Sequence, residues 1–238
     1  VAIFPTGTEI IEPGETPVEG SIIESNSRMF ENLAREQGAR AKRFPVIPDD
    51  YEKIRRAVKE AAQKYDLVII NAGSSAGTED YTVHVLRELG EVVVHGVAIK
   101  PGKPVILAVV DDCPVIGLPG YPVSAYIGFE NFVTPVLSML GDFTCRKNPV
   151  VDAVISKRLV SSLKHREYIR VKVGKVGEKL VAAPLARGAG AAMSMVRADG
   201  FCVIPQNSEG VEASETVSVE LYRDIQEIEN TLVVIGSH

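Results

Sequence analysis

The sequence predicts an α/β fold, a mostly parallel sheet with helices on both faces, followed by a small all-β barrel-like domain. Three observations predict it. Over roughly the first 140 residues, short β-branched apolar runs alternate with capped amphipathic stretches. Beyond residue 145 the amphipathic stretches stop, and short strand-like runs follow one another across turn residues. The composition, 45% hydrophobic and 24% charged over 238 residues, supplies the core of one or two globular domains.

Taken in order, "VAIF" reads as a strand that runs into the polar, Gly/Pro-rich "PTGTEIIEPGETPVEG". "SNSRMFENLAREQG" places Met29, Phe30, Leu33 and Ala34 at helical spacing, with Ser25 or Asn26 as N-cap and Gly38 at the C-terminus. "ARAKRFPVI" fits a strand, and "PDDYEKIRRAVKEAAQKY" an amphipathic helix with Asp49 and Asp50 as cap candidates. "DLVII" is a short buried strand and "YTVHVLRELG" a helix closed by Gly90. "EVVVHGVAI", "PVILAVV" and "PVIGL" follow as strands, and "PVSAYIGFENFVTPVLSML" as one long, largely buried helix. The second region holds five strands: "VDAVISKRL", "REYIRVKVG", "KLVAAPL", "GFCVIP" and "TVSVELY".

The expected domains are therefore residues 1–146, α/β, and 147–223, β. Residues 224–238, "DIQEIENTLVVIGSH", read either as an edge strand of the β domain or as a linker and the first strand of a further domain. The chain opens directly on a strand without an initiator Met, which predicts a piece cut from a longer protein.

A net charge of −5 argues against nucleic acid as the main partner, because phosphate backbones need a basic face. No apolar run reaches the roughly 18 residues of a membrane span. Cys113, Cys145 and Cys202 lie far apart, odd in number and without a C-x-x-C pair, so no disulfide framework is implied and a reducing, cytoplasmic setting is expected. His84, His95, His165 and His238 show no metal-ligand spacing.

Several loops carry chemistry-bearing residues. In open α/β sheets, ligands bind at the carboxyl ends of strands. "NAGSSAGTED" sits at such an end: Gly73 and Gly77 admit close backbone approach, Ser74, Ser75 and Thr78 offer hydroxyls, and the next helix start offers N–H groups to an anion. The plainer reading is a strand-to-helix turn capped by Thr78 or Asp80. "KPGKP" holds Lys100 and Lys103 about a stiff turn, either around an anion or as an exposed solubilising turn. "GLPGYPVSA" sets Gly120, Pro122 and Ser124 at another anion-receptive helix start, or a stiff capped turn. "PTGTE" contributes Glu9, and "PDD" Asp49 and Asp50, at least one of them a helix cap. If these loops meet, carboxylates and lysines surround one site, a set suited to Mg²⁺-assisted phosphoryl or nucleotidyl chemistry.

Together, "PTGTEI", "SNSRMF", "IPDD", "NAGSSAGTEDYT", "AIKPGKP" and "GLPGYPVSA" resemble, in this order, the molybdopterin-binding domain of molybdopterin molybdenumtransferases. "GAGAAMSMVRADGFCVIP" and "ETVSVEL" are similar to that family's C-terminal β domain, so the resemblance spans about residues 1–222. It implies that adenylylated molybdopterin is bound, that molybdate (or tungstate) is delivered to the dithiolene, and that AMP leaves with Mg²⁺ involved. It implies acidic site residues at Glu9, Asp80 and Asp49 or Asp50, with Glu9 and Asp80 toward the metal. Lys100 and Lys103 would hold molybdate beside Pro104 and Ser124, with Arg170 and Ser194 joining from the β domain. It further implies a homodimer and contact with other cofactor-biosynthesis proteins.

Three departures stand out. Ala72 replaces a glycine of the family loop, Tyr121 replaces an asparagine, and the family's two N-terminal domains are absent. A molybdopterin adenylyltransferase shares the binding domain but typically lacks "KPGKP" and the β domain. A non-catalytic pterin-binding module is the remaining alternative, and Ala72 and Tyr121 are the features that would support it.

Overall fold

A computed structural model describes residues 1–71, 81–144, 148–188, 190 and 192–231, and every structural statement below concerns these residues. The chain divides into two compact units, Val1–Val97 with Gly102–Arg146, and Ala98–Pro101 with Lys147–His238.

The first unit begins with β1 (Ala2–Pro5), then the two-residue strands β2 (Ile10–Ile11) and β3 (Ile22–Ile23), which pair with each other. It continues through α1 (Asn26–Glu36), β4 (Lys42–Arg43), α2 (Tyr51–Ala62), β5 (Val68–Asn71), α3 (Tyr81–Leu89) and β6 (Glu91–His95). The chain then gives β7 (Ile99–Lys100) to the second unit. It resumes the first with β8 (Ile106–Val110), β9 (Cys113–Leu118), α4 (Pro122–Gly128), a π-helical segment Phe129–Val133, and α5 (Thr134–Gly141). The sheet order is β4-β1-β5-β9-β8-β6. The first four strands are parallel, and β8 is antiparallel to both its neighbours, so β6 runs with the rest.

Strand alternation sends successive side chains to opposite faces. Ala2, Phe4, Val68 and Ile70 pack under α2 and α3 with Ile54, Val58 and Leu86. Ile3, Leu67 and Ile69 pack on the other face against Phe30 of α1 and Phe129, Val133 and Leu137. Helices on both faces of a mostly parallel sheet are thus the observed arrangement.

Three elements differ from the sequence expectation. "EVVVHGVAI" is not one strand: Gly96 takes φ +88, and the Gly96 and Val97 N–H groups donate to the carbonyls of Val105 and Lys103, turning the chain into β8. In "ARAKRFPVI" only Lys42 and Arg43 join the ladder, because Pro45 lacks a donor, although Ile47 still bridges to Thr6. The long helix is interrupted because Pro135 has no N–H to give the preceding turn. The Thr134 N–H reaches back five residues to the Phe129 carbonyl, and Asn131 Nδ2 donates to the Ile127 carbonyl.

The second unit contains β10 (Val150–Ile155), β11 (Leu159–Val160), β12 (Arg166–Val176), β13 (Lys179–Pro184), α6 (Met193–Arg197), β14 (Gly200–Ile204), β15 (Gly210–Val211), β16 (Thr216–Leu221) and α7 (Ile225–Glu229). Strands β13-β10-β16-β14-β12 form a ring closed by β12–β13 pairing, a five-stranded barrel, with β7 added in parallel at the start of β12. Residues 225–229 are helical, and residues 232–238, which carry the strand-like part of that segment, lie outside the described residues. Asp224 caps α7 through the Gln226 N–H, and Ile228 is buried in the barrel core.

Phe129 and Phe30 stack at 5.6 Å between centroids and are fully buried beneath α1. Phe129→Ala is expected to lower the unfolding free energy by about 3–5 kcal/mol in chemical denaturation, because the neighbouring helices cannot collapse fully into the space.

Candidate functional site

The loops that carry the sequence motifs of the first unit leave the parallel strands at their carboxyl ends. Thr6 follows β1 and opens into the Glu9 loop, residues 44–50 follow β4, Asn71 ends β5, and Pro119 follows β9. Gly7 holds φ +144, and a Cβ there would stand 2.6 Å from Ile10 Cγ1, so only glycine fits this turn. A cavity of about 300 Å³ opens between Gly7 and Thr8 on one side and Val46 and Pro48 on the other.

The two aspartates of "PDD" have separate tasks. Asp50 is the N-cap of α2, its Oδ1 accepting from the Lys53 N–H at 2.9 Å. Asp49 turns to the Glu9 loop: the Thr8 N–H donates to its Oδ2 at 3.3 Å, and its own N–H donates to Thr8 Oγ1 at 3.1 Å. Of the two, Asp49 is the carboxylate the fold sets beside Thr8, the residue before Glu9. Ser124 is buried in the first turn of α4, which begins at Pro122 with Tyr121 as its N-cap, itself about half exposed. Gly73, Ser74, Ser75, Gly77, Thr78 and Asp80 lie outside the described residues.

A buried carboxamide pair joins the strand ends. Asn71 Nδ2 donates to the carbonyls of Leu118 and Pro119 at 3.3 and 2.9 Å. Asn26 Nδ2 donates to Asn71 Oδ1 at 3.0 Å and to the Gly120 carbonyl at 2.7 Å. The Asn71 carbonyl in turn accepts from the N–H and hydroxyl of Thr6. Glu24 Oε1 accepts from the Ser27 N–H, fixing the start of α1 that presents Asn26.

Within the second unit, Lys100 lies on β7 and its ammonium bonds Glu167 Oε1 at 3.0 Å. Glu167, whose side chain is 3% exposed, also accepts from the N–H and hydroxyl of Ser162, and Arg187 stands 3.7 Å from its second oxygen. Burial pushes the Glu167 carboxyl up, but the Lys100 ammonium and the Ser162 hydrogen bonds outweigh it and hold the pKa below the ordinary carboxylate value. Lys100 and Lys103 fall to different units, and the Lys100 charge is answered by this internal carboxylate. A bound anion is therefore not required to explain its placement. Arg170 and Ser194 do come together: the buried Arg170 guanidinium bonds Ser194 Oγ and donates to the Ala186 carbonyl at 3.0 Å. Burial lowers the Arg170 pKa, partly offset by Tyr222.

Sequence reasoning missed Glu167, Asn26 and Asn71. Glu167 had a legible signal. It shares the strand parity of Ile169, Val171 and Val173, which face the barrel core, and a carboxylate at that parity must be paired. The asparagines gave none, because a polar residue at a strand end or helix start is ordinary.

The fold and these strand-end loops define an α/β ligand-binding domain joined to a small barrel. Residues 2–139 match the family described as the probable molybdopterin binding domain, and residues 152–222 match the MoeA C-terminal region, domain IV. The chain belongs to this molybdopterin-binding family. A Methanocaldococcus jannaschii protein named for molybdopterin biosynthesis is 36% identical over 229 residues, 93% of this chain and 54% of its own length. The molybdopterin molybdenumtransferase of Bacillus subtilis is 31% identical over 226 residues, 94% of this chain and 53% of its own. The crystal structure of a molybdopterin biosynthesis MoeA protein from Pyrococcus horikosii superposes with a TM-score of 0.79 at 36% identity, covering 94% of this chain and 54% of that one. The chain thus spans about half the length of the curated relatives it matches.

The Glu167 environment has a pH consequence. Its folded pKa is depressed, so the stability it contributes is present above its unfolded value near 4.5 and is lost as pH falls through the folded value. Glu167→Gln is expected to flatten the acid limb of barrel stability below about pH 4.5, read by denaturation of wild type and variant from pH 3 to 6.

Proposed function

We propose that this chain is part of a molybdopterin molybdenumtransferase acting in molybdenum cofactor biosynthesis. It binds adenylylated molybdopterin, receives molybdate or tungstate as substrate, and releases AMP. The observation that carries this reading is the convergence of "PTGTE", "IPDD" and "GLPGYP" at the carboxyl ends of parallel strands, in a chain 31% identical to a molybdenumtransferase over nearly its whole length.

Glu9 and Asp49 offer hard oxygen donors on adjoining loops; among the described residues Asp49 Oδ2 accepts one long hydrogen bond, and a carboxylate oxygen has a further lone pair for a cation. Among the described residues no three acidic, His or Cys side chains cluster as a complete metal cage. Mg²⁺ takes one or two carboxylates and completes its shell with water and substrate phosphate. Glu9 and Asp80 would hold it, with Asp49 as the third acidic residue nearby, and when bound it would polarise the phosphoryl group. Lys103, in the first unit, provides a cationic donor for the tetrahedral oxyanion; in the second unit Lys100 is paired with Glu167 and Arg170 is held by Ser194. The Gly120 turn receives the pterin-phosphate end, and Ser124 neighbours the oxyanion. A homodimer and contact with other cofactor-biosynthesis proteins belong to the same reading.

The test is AMP release from adenylylated molybdopterin by the full-length protein with Mg²⁺, with and without molybdate. Molybdate-dependent release, abolished in Asp80→Ala, is expected; binding without any release would instead mark a non-catalytic pterin-binding module. Asp49→Ala is expected to slow release more than Asp50→Ala. The latter removes a helix cap and costs about 1 kcal/mol of stability.

A further inference from the structure

The Asn26–Asn71 carboxamide pair is the most thoroughly bonded polar feature at the strand ends, and no catalytic step draws on it. Its partners include three successive backbone carbonyls, those of Leu118, Pro119 and Gly120. Asn71 pairs with Leu118 at the last register position between β5 and β9. Pro119 and Gly120 follow that last pair, and their carbonyls accept from the two side-chain amides. Pro119 and Pro122 bring no N–H of their own to this stretch. Asn71 and Asn26 are both 7% exposed and Thr6 only 3%, so water is a poor substitute. Two Nδ2 groups therefore supply four donor contacts, and Asn71 Oδ1 accepts the link between the two amides.

We propose that Asn26 and Asn71 are positioning residues that set the turn at Gly120–Tyr121 for ligand capture. They act through the backbone carbonyls of Pro119 and Gly120 without touching the ligand. This rests on the functional reading above, and it deepens that reading by assigning the ordering of the pterin-facing turn to a side-chain clamp. Thr6 extends the clamp to the Glu9 loop, because its N–H and hydroxyl both hold the Asn71 carbonyl. One clamp thereby ties the exits of β1, β5 and β9 to the start of α1. The turn after β9 carries Tyr121, where an exposed aromatic side chain stands at the N-cap of α4. It is placed between the clamped Gly120 carbonyl and its own carbonyl, which accepts from the Ala125 N–H.

The experiment uses the full-length protein, with molybdopterin as the probe, in wild type, Asn26→Ala, Asn71→Ala and the double variant. Thr6→Val is a milder fourth variant that removes only the hydroxyl. Affinity is measured well below each Tm, and hydrogen exchange is followed at the Gly120 and Tyr121 amides. Each asparagine variant is expected to weaken molybdopterin binding about tenfold, and Thr6→Val a few-fold. The double variant is expected to bind no more weakly than the poorer single one, because either loss opens the same clamp. Exchange at Gly120 and Tyr121 should rise while the barrel amides stay protected. Folded variants that bind as wild type would overturn the proposal, as would single losses that simply multiply in the double variant. If wild type fails to bind molybdopterin while the exchange at Gly120 and Tyr121 still rises in the variants, the clamp exists but the pterin reading has failed, and the ligand-capture role fails with it.

Discussion

The Asn71 carboxamide is the interaction on which the ligand end of the first unit depends. A parallel sheet satisfies its own backbone only as far as the last paired residue, and every loop that leaves it must find donors elsewhere. Here β1, β5 and β9 end beside a buried polar cluster of Thr6, Asn26 and Asn71. A buried carbonyl without a donor costs about 1–3 kcal/mol. Two side-chain amides remove several such penalties together, and in doing so they fix where three loops start.

Fixing loop origins matters more here than in a plain scaffold. Glu9, Asp49 and Gly120 lie on loops rather than within strands, so their geometry is no better than that of their attachment points. Glu9 follows Thr6 by three residues, and Gly120 follows the last residue of β9 by two. The reciprocal Thr8–Asp49 bonds do for the β1 and β4 loops what the amide pair does for β5 and β9. They also separate two adjacent aspartates that the sequence left equivalent, one closing a helix and the other facing the Glu9 loop.

The barrel unit solves a different problem, which is burying charge. Glu167 is nearly fully enclosed, and it is tolerable there because Lys100, Ser162 and Arg187 surround it. Lys100 comes from a segment of four residues, Ala98–Pro101, which leaves the α/β region to add a strand to β12. The motif "AIKPGKP" is thus shared between units, with Lys100 on one and Lys103 on the other. Arg170 is buried on the same strand as Glu167, and its guanidinium is spent on Ser194 and a carbonyl, which fixes its direction.

By itself the sequence determined the fold class, most of the elements and the family. Alternation of period-two and period-3.6 hydrophobicity is a local property, and it marked the parallel sheet, its flanking helices and the five barrel strands. The motif order marked the molybdopterin-binding family for the same reason, since each motif is a short contiguous string. Only the tertiary structure decided where "EVVVHGVAI" breaks, that 225–229 turns helical against the barrel, and that Asp50 is a cap while Asp49 meets Thr8. It alone brought Asn26 to Asn71 across 45 residues and Lys100 to Glu167 across 67. Those pairings are set by how distant strand ends and buried charges find partners. That depends on packing between segments: the strand parity of Glu167 records that it needs a partner, but nothing in the neighbouring residues records which one.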